Sequence, residues 1–144
     1  MKGLTESTKT ISAKDIDRKW HLIDVKGKVL GRIASQIVIL LTGKQKTNYS
    51  PNIEMGDNIV VVNARQVVLT GRKAEDKKYS NFSGYPGGMR SISVDSLYRK
   101  NPAEIVRHAV SGMLPKNKLR DKRLARLHIF ADDKHPFGEK FANK

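Results

Sequence analysis

Ile59-Val60-Val61-Val62 is an unbroken apolar run with no polar residue to mark a wet face, and it constrains the fold more than any other stretch. A strand with one solvated face alternates apolar and polar side chains, whereas a continuous run is covered on both faces, as in the middle of a parallel sheet flanked by helices. The preceding segment fits that setting. Trp20-His21-Leu22-Ile23-Asp24-Val25 alternates and reads as a first strand, Lys26-Gly27-Lys28 as a turn, and Ile33, Ile37, Leu40 and Leu41 recur at helical spacing up to a stop at Gly43. Val38 and Ile39 widen the apolar face of this helix and Arg32 is its one charge, so it packs on more than one side.

Further along, Val67-Val68-Leu69 gives another strand candidate, ended by Thr70-Gly71. Residues 72–90 are basic and turn-rich, the least core-like stretch of the domain. Ser93 or Asp95 starts a short helix through Leu97 and Tyr98. Asn101-Pro102-Ala103-Glu104 is a helix start with Asn as cap, Pro in the first turn and an acid near the positive end, and Ile105, Val106, Ala109, Val110 and Met113 face inward from it. After Met113-Leu114-Pro115 comes a basic helix over about 118–126, anchored by Leu119 and Leu124, and then a last strand at Leu127-His128-Ile129-Phe130. Strands alternating with helices predict an α/β domain with a small, mostly parallel sheet covered on both faces. The expected organisation is an N-terminal tail over 1–17, one domain over 18–131, and a polar C-terminal tail over 132–144.

Charge narrows the partner. The 144 residues hold 28 Lys and Arg against 14 Asp and Glu, a net charge of +14. Residues 99–126 alone carry nine Lys or Arg and two acids. Such a field repels itself until a polyanion neutralises it, which points to nucleic acid. Zero Cys removes disulfides, thiolate metal sites and Cys nucleophiles. No apolar run approaches the length of a membrane span and the first residues lack a signal peptide's apolar segment, so a cytoplasmic protein with no membrane partner is expected.

Candidate chemistry is sparse. Gly27-x-x-x-Gly31 lies between a strand and a helix, where a nucleotide-binding protein would cradle phosphate, but its spacing matches neither dinucleotide nor P-loop patterns, and an ordinary turn is the better reading. His21, His108, His128 and His135 form no metal-spaced pair and no nucleophile motif, so no catalytic residue, metal or cofactor is assigned. The candidate RNA-binding residues are cations and one aromatic. Lys26, Lys28 and Arg32 flank the first turn, while Lys44 and Lys46 follow the first helix in a span, Val25 to Ile53, that has no acid. Arg72, Lys73, Lys77, Lys78 and Arg90 surround Tyr79, Phe82 and Tyr85, a mixture suited to stacking on unpaired bases beside phosphate contacts. Tyr79 and Phe82 serve equally well as core-facing strand residues, which leaves Tyr85 as the aromatic assigned to RNA. Lys116, Lys118, Arg120, Lys122, Arg123 and Arg126 form the array after Pro115.

Several blocks together resemble a known family. Leu30-Gly31-Arg32-Ile33-Ala34-Ser35, Gly43-Lys44-Gln45-Lys46, Tyr49-Ser50-Pro51, Gly56-Asp57, Val62-Asn63-Ala64, Leu69-Thr70-Gly71, Gly84 with Gly87-Gly88, and Gly112-Met113-Leu114-Pro115-Lys116-Asn117 occur in the order and spacing of the bacterial large-subunit ribosomal protein L-thirteen family. The resemblance spans about residues 10–136. It implies a three-layer α/β/α domain and a structural role in the large ribosomal subunit: binding large-subunit (23S) ribosomal RNA early in assembly, next to other large-subunit proteins, with no small-molecule substrate. The chain departs from the family pattern at Asn52 and Phe82, where His is usual, at Arg120, where Gly is usual, and at Phe137, where His is common. Two other readings of the residues are a small nucleotide-binding or nucleic-acid-processing enzyme using the Gly27 turn, and a regulator that binds messenger RNA.

Overall fold

The structure, a computed structural model, describes residues 16–142. The tail expected over 1–17 therefore lies, up to residue 15, outside the described residues. The chain runs β1 (Trp20–Asp24), α1 (Leu30–Thr42), β2 (Asn58–Val62), α2 (Lys73–Asp76), β3 (Lys78–Phe82), β4 (Met89–Ser93), α3 (Val94–Lys100), α4 (Pro102–Met113), α5 (Arg120–Leu124), β5 (Leu127–Ile129) and α6 (Glu139–Ala142). The sheet β1-β2-β5 is parallel with β2 central. This is the position its unbroken apolar run requires, and Ile59 through Val62 are all buried.

Register decides which residues share each face. Ile23, Val25, Ile59, Val61, Leu127 and Ile129 look toward one side, where Ile33, Ala34, Ile37 and Leu41 of α1 and Val106 and Val110 of α4 complete the main core. Trp20, Val60 and His128 look the other way. That second face is covered by the segment expected as a polar tail: Phe137 lies 5.2 Å from the Trp20 ring and 4.6 Å from His128, and Phe141 of α6 meets Trp20 edge-on at 6.4 Å. Residues 132–142 thus supply the third layer of the α/β/α arrangement. The signal was Phe137 and Phe141, two aromatics four apart in an otherwise polar stretch.

Burial among aromatics, with Arg107 adding a like charge, lowers the pKa of His128 below its ordinary 6.5. The folded state then binds that proton less readily than the unfolded chain, so the stability His128 contributes is present above pH 6.5 and lost as pH falls through the lower folded value. Melting temperatures taken above and below pH 6.5 should fall more for the natural chain than for His128→Gln.

Several local expectations change in detail. Val67-Val68-Leu69 does not form a strand; after a 3-10 turn at Ala64–Gln66 it makes one bridge, Val68 to Val29, because its partner backbone enters α1 at Leu30. The turn-rich 72–90 region contains the antiparallel hairpin β3-β4. Ser93 caps α3 by accepting from the Ser96 amide, whereas Asn101 precedes α4 without a side-chain cap bond and Pro102 opens the helix.

The 44–57 connection is clamped onto the end of α1. Gly43 ends the helix at φ 78°, its amide donating to Ile39 and Leu40 carbonyls. A side chain at Gly56 would place its Cβ 1.9 Å from the Leu41 carbonyl oxygen, so only glycine permits this backbone contact.

Candidate nucleic-acid interface

Twelve of the predicted cations reach solvent, and none of the twelve forms an ion pair with a described residue: Lys26, Lys28, Arg32, Lys44, Arg72, Lys73, Lys77, Lys78, Arg90, Lys116, Lys118 and Lys122. Lys26 and Lys28 sit on the β1-α1 turn and Arg32 on the first turn of α1, whose N-terminal turn holds no acid. Lys118 precedes α5 and Lys122 lies within it, both exposed.

Four predicted contacts are built into the protein instead. The Lys46 ammonium sits 2.6 Å from Asp57 Oδ1 and also donates to the carbonyls of Met55 at 2.8 Å and Asp17. Its three donors are used, so it offers nothing to a phosphate. Arg126 makes a two-pronged contact with Glu54, at 2.6 and 2.7 Å, and donates to the Gly56 carbonyl at 2.9 Å. Arg120 turns back to donate to Ser111 Oγ on α4. Arg123 is 1% exposed, enclosed with its Nε lacking a hydrogen-bond partner. α5 ends at Leu124, so Arg126 lies beyond the helix, and no spacing in the sequence groups these three arginines: Ser111, the interior and Glu54 each claim one of them.

Around Asp57 the structure gathers residues that sequence reading did not join. Its carboxylate, 2% exposed, accepts from His21 Nε2 at 3.0 Å, Gln45 Nε2 at 2.8 Å and the Lys19 amide at 3.2 Å besides pairing with Lys46. Burial alone would raise the Asp57 pKa, but the hydrogen bonds from Lys46, His21 and Lys19 outweigh it and hold the carboxyl below its ordinary 3.8. This cluster and the Arg126–Glu54 pair tie the 44–57 connection to β1 and β5. Both are structural: the Asp57 carboxylate and the Lys46 ammonium find their partners inside the fold, and Glu54 is held by Arg126.

The hairpin separates the three aromatics. Tyr79 is half-buried, its ring stacked 4.6 Å from His108 of α4, with the Lys77 ammonium 5.1 Å over it. Phe82 lies three positions on, on the opposite strand face, and is 65% exposed beside Met89, its cross-strand partner. Tyr85, in the connection, is 75% exposed. The core-facing reading thus holds for Tyr79 and not for Phe82.

The Gly27 turn is closed internally. The Gly27 amide donates to the Gln66 carbonyl at 2.9 Å and the Lys28 amide to Val25 at 3.1 Å. Amides spent this way cannot cradle a nucleotide phosphate. The histidines are likewise engaged in packing, His135 against Phe130 and Phe141, and among the described residues no three His, Asp or Glu converge on a metal position.

Residues 18–136 match the family described as Ribosomal protein L13. The chain belongs to that family. The family's span takes in both sheet faces, from the residues before β1 to the edge of the Phe137 layer. A protein of Clostridioides difficile named large ribosomal subunit protein uL13 is 48% identical over 121 residues, covering 84% of this chain and 85% of its own. Its counterparts in Rubrobacter xylanophilus, 50% identical over 122 residues (85% of each chain), and Treponema pallidum, 48% over 126 residues (88% and 89%), carry the same name. Among the described residues, no helix is long and apolar enough to cross a membrane.

Proposed function

We propose that this chain is a structural constituent of the large ribosomal subunit, in the cytoplasm, that binds 23S ribosomal RNA during early assembly and abuts neighbouring large-subunit proteins. The observation that carries the reading is the division of its cations. Those with carboxylate partners brace the fold, and twelve others stand on the surface without an ion-pair partner among the described residues. Exposed, flexible lysines and arginines contact the RNA backbone through charge and shape rather than base sequence. Family membership and the names of the relatives support the ribosomal setting.

Electrostatic binding predicts a steep salt response. Each neutralised phosphate releases counterions, so six or more contacts give a log–log slope of affinity against salt steeper than about −4. Changing Lys116, Lys118 and Lys122 together to Gln should flatten that slope by about 2 and leave the melting temperature nearly unchanged, because exposed charges add little to folding. Filter binding to 23S rRNA across a salt series measures the slope, and sedimentation with the large subunit tests the assignment. A slope near zero would remove the electrostatic basis of the reading.

A further inference from the structure

A cavity of about 270 Å³ opens between the N-terminal end of α1, the extended stretch after the 3-10 turn, β3 and α4. Its walls include Val94 and Ala109, its rim the exposed side chains of Val68 and Met113, and among the described residues its lining contains Lys73 and Lys77 but no acid. Two glycines border it, Gly31 in α1 and Gly112 in α4. Neither has a positive φ, and a Cβ built on either would meet nothing within 4 Å. Nothing among the described residues therefore requires glycine at either place, and in a helix alanine is the more favourable residue. Both line the same opening, and their bare backbone leaves room there for something outside the chain to approach closely.

We infer that this cavity takes one splayed-out nucleotide of the bound RNA, its base or ribose against the apolar walls beside Gly31 and Gly112 and its phosphate on Lys73 and Lys77. The inference rests on the proposal that RNA is the partner. Charge selects the occupant: an apolar side chain of another protein would gain nothing from two lysines at the mouth, whereas a nucleotide joins an apolar face to an anion. A duplex cannot enter a recess of this size, so the ligand is an unpaired position, the kind of RNA feature that proteins recognise by enclosing a base. Tyr79 backs the site rather than stacking on the base, since His108 already stacks on its ring and the Lys77 ammonium lies over it.

The test sets stability against binding. Gly31→Ala and Gly112→Ala should each keep or raise the melting temperature, and Ala109→Leu should fill the recess; each should weaken 23S rRNA binding about tenfold without changing the salt slope, because no charge is removed. Titrating the full chain with AMP, GMP, CMP and UMP should shift the amide resonances of Gly31, Ala109 and Gly112. If the natural chain binds rRNA with its steep salt dependence and both glycine variants bind equally well, the cavity is no nucleotide site although the RNA reading stands. Variants that keep rRNA affinity while losing a neighbouring ribosomal protein would overturn it in the same way. Failure of the natural chain to bind rRNA at all would overturn both.

Discussion

Replacing Asp57 by Ala lowers the stability of the folded chain by about 3–5 kcal/mol, the cost of leaving a desolvated partner charge uncompensated. Lys46, 17% exposed and held between Asp57 and two carbonyls, cannot turn to water without dismantling the 44–57 connection. Gln45 and the Lys19 amide lose their acceptor in the same step. Because the carboxyl sits below its ordinary 3.8 in the folded state, its contribution is complete above that pH and is lost as pH falls through the lower folded value. Urea unfolding at neutral pH should show the full difference between the natural chain and Asp57→Ala, and the difference should shrink on acidification below pH 3.8. Equal unfolding midpoints at neutral pH would mean that the cluster contributes nothing net.

Replacing Arg123 by Met moves stability the other way. Among the described residues no carboxylate pairs with this guanidinium, it is 1% exposed, and its Nε has no partner. The fold thus encloses an arginine with an unsatisfied buried donor, which costs stability. Met keeps the length of the aliphatic stem and removes the charge. Exchanging buried ionic groups for apolar ones of similar volume is often stabilising by about 1–4 kcal/mol, and we expect a gain in that range. RNA affinity should not change, since the side chain does not reach solvent. A lower melting temperature, or weaker rRNA binding at unchanged stability, would show that Arg123 has a partner its enclosure does not reveal.

These two variants mark the limit of what charge in a sequence conveys. Counting nine cations over residues 99–126 correctly identifies a strongly basic segment, but the count treats Lys118 and Arg123 alike. The fold separates them: Lys118 and Lys122 stay exposed, while Arg120, Arg123 and Arg126 turn toward α4, the interior and Glu54. Aromatics behaved similarly. Alternation already places Tyr79 and Phe82 on opposite faces of a strand, yet only the contact with His108 decides which of the two is inward.

By itself the sequence determined the class of fold and the kind of partner. The Ile59-Val60-Val61-Val62 run, the apolar helix up to Gly43 and the Asn101-Pro102 helix start are local patterns, and local patterns report backbone conformation and which side of an element is apolar. Net charge is a sum and needs no structure at all. Tertiary structure alone decided which cations are free and what covers the second face of the sheet. Arg126 meets Glu54 across 72 residues, Lys46 meets Asp57 only because Gly56 lets the backbone close on Leu41, and Phe137 reaches Trp20 from the far end of the chain. Each of those contacts depends on strand register and chain return rather than on neighbouring residues, and periodicity carries no information about either.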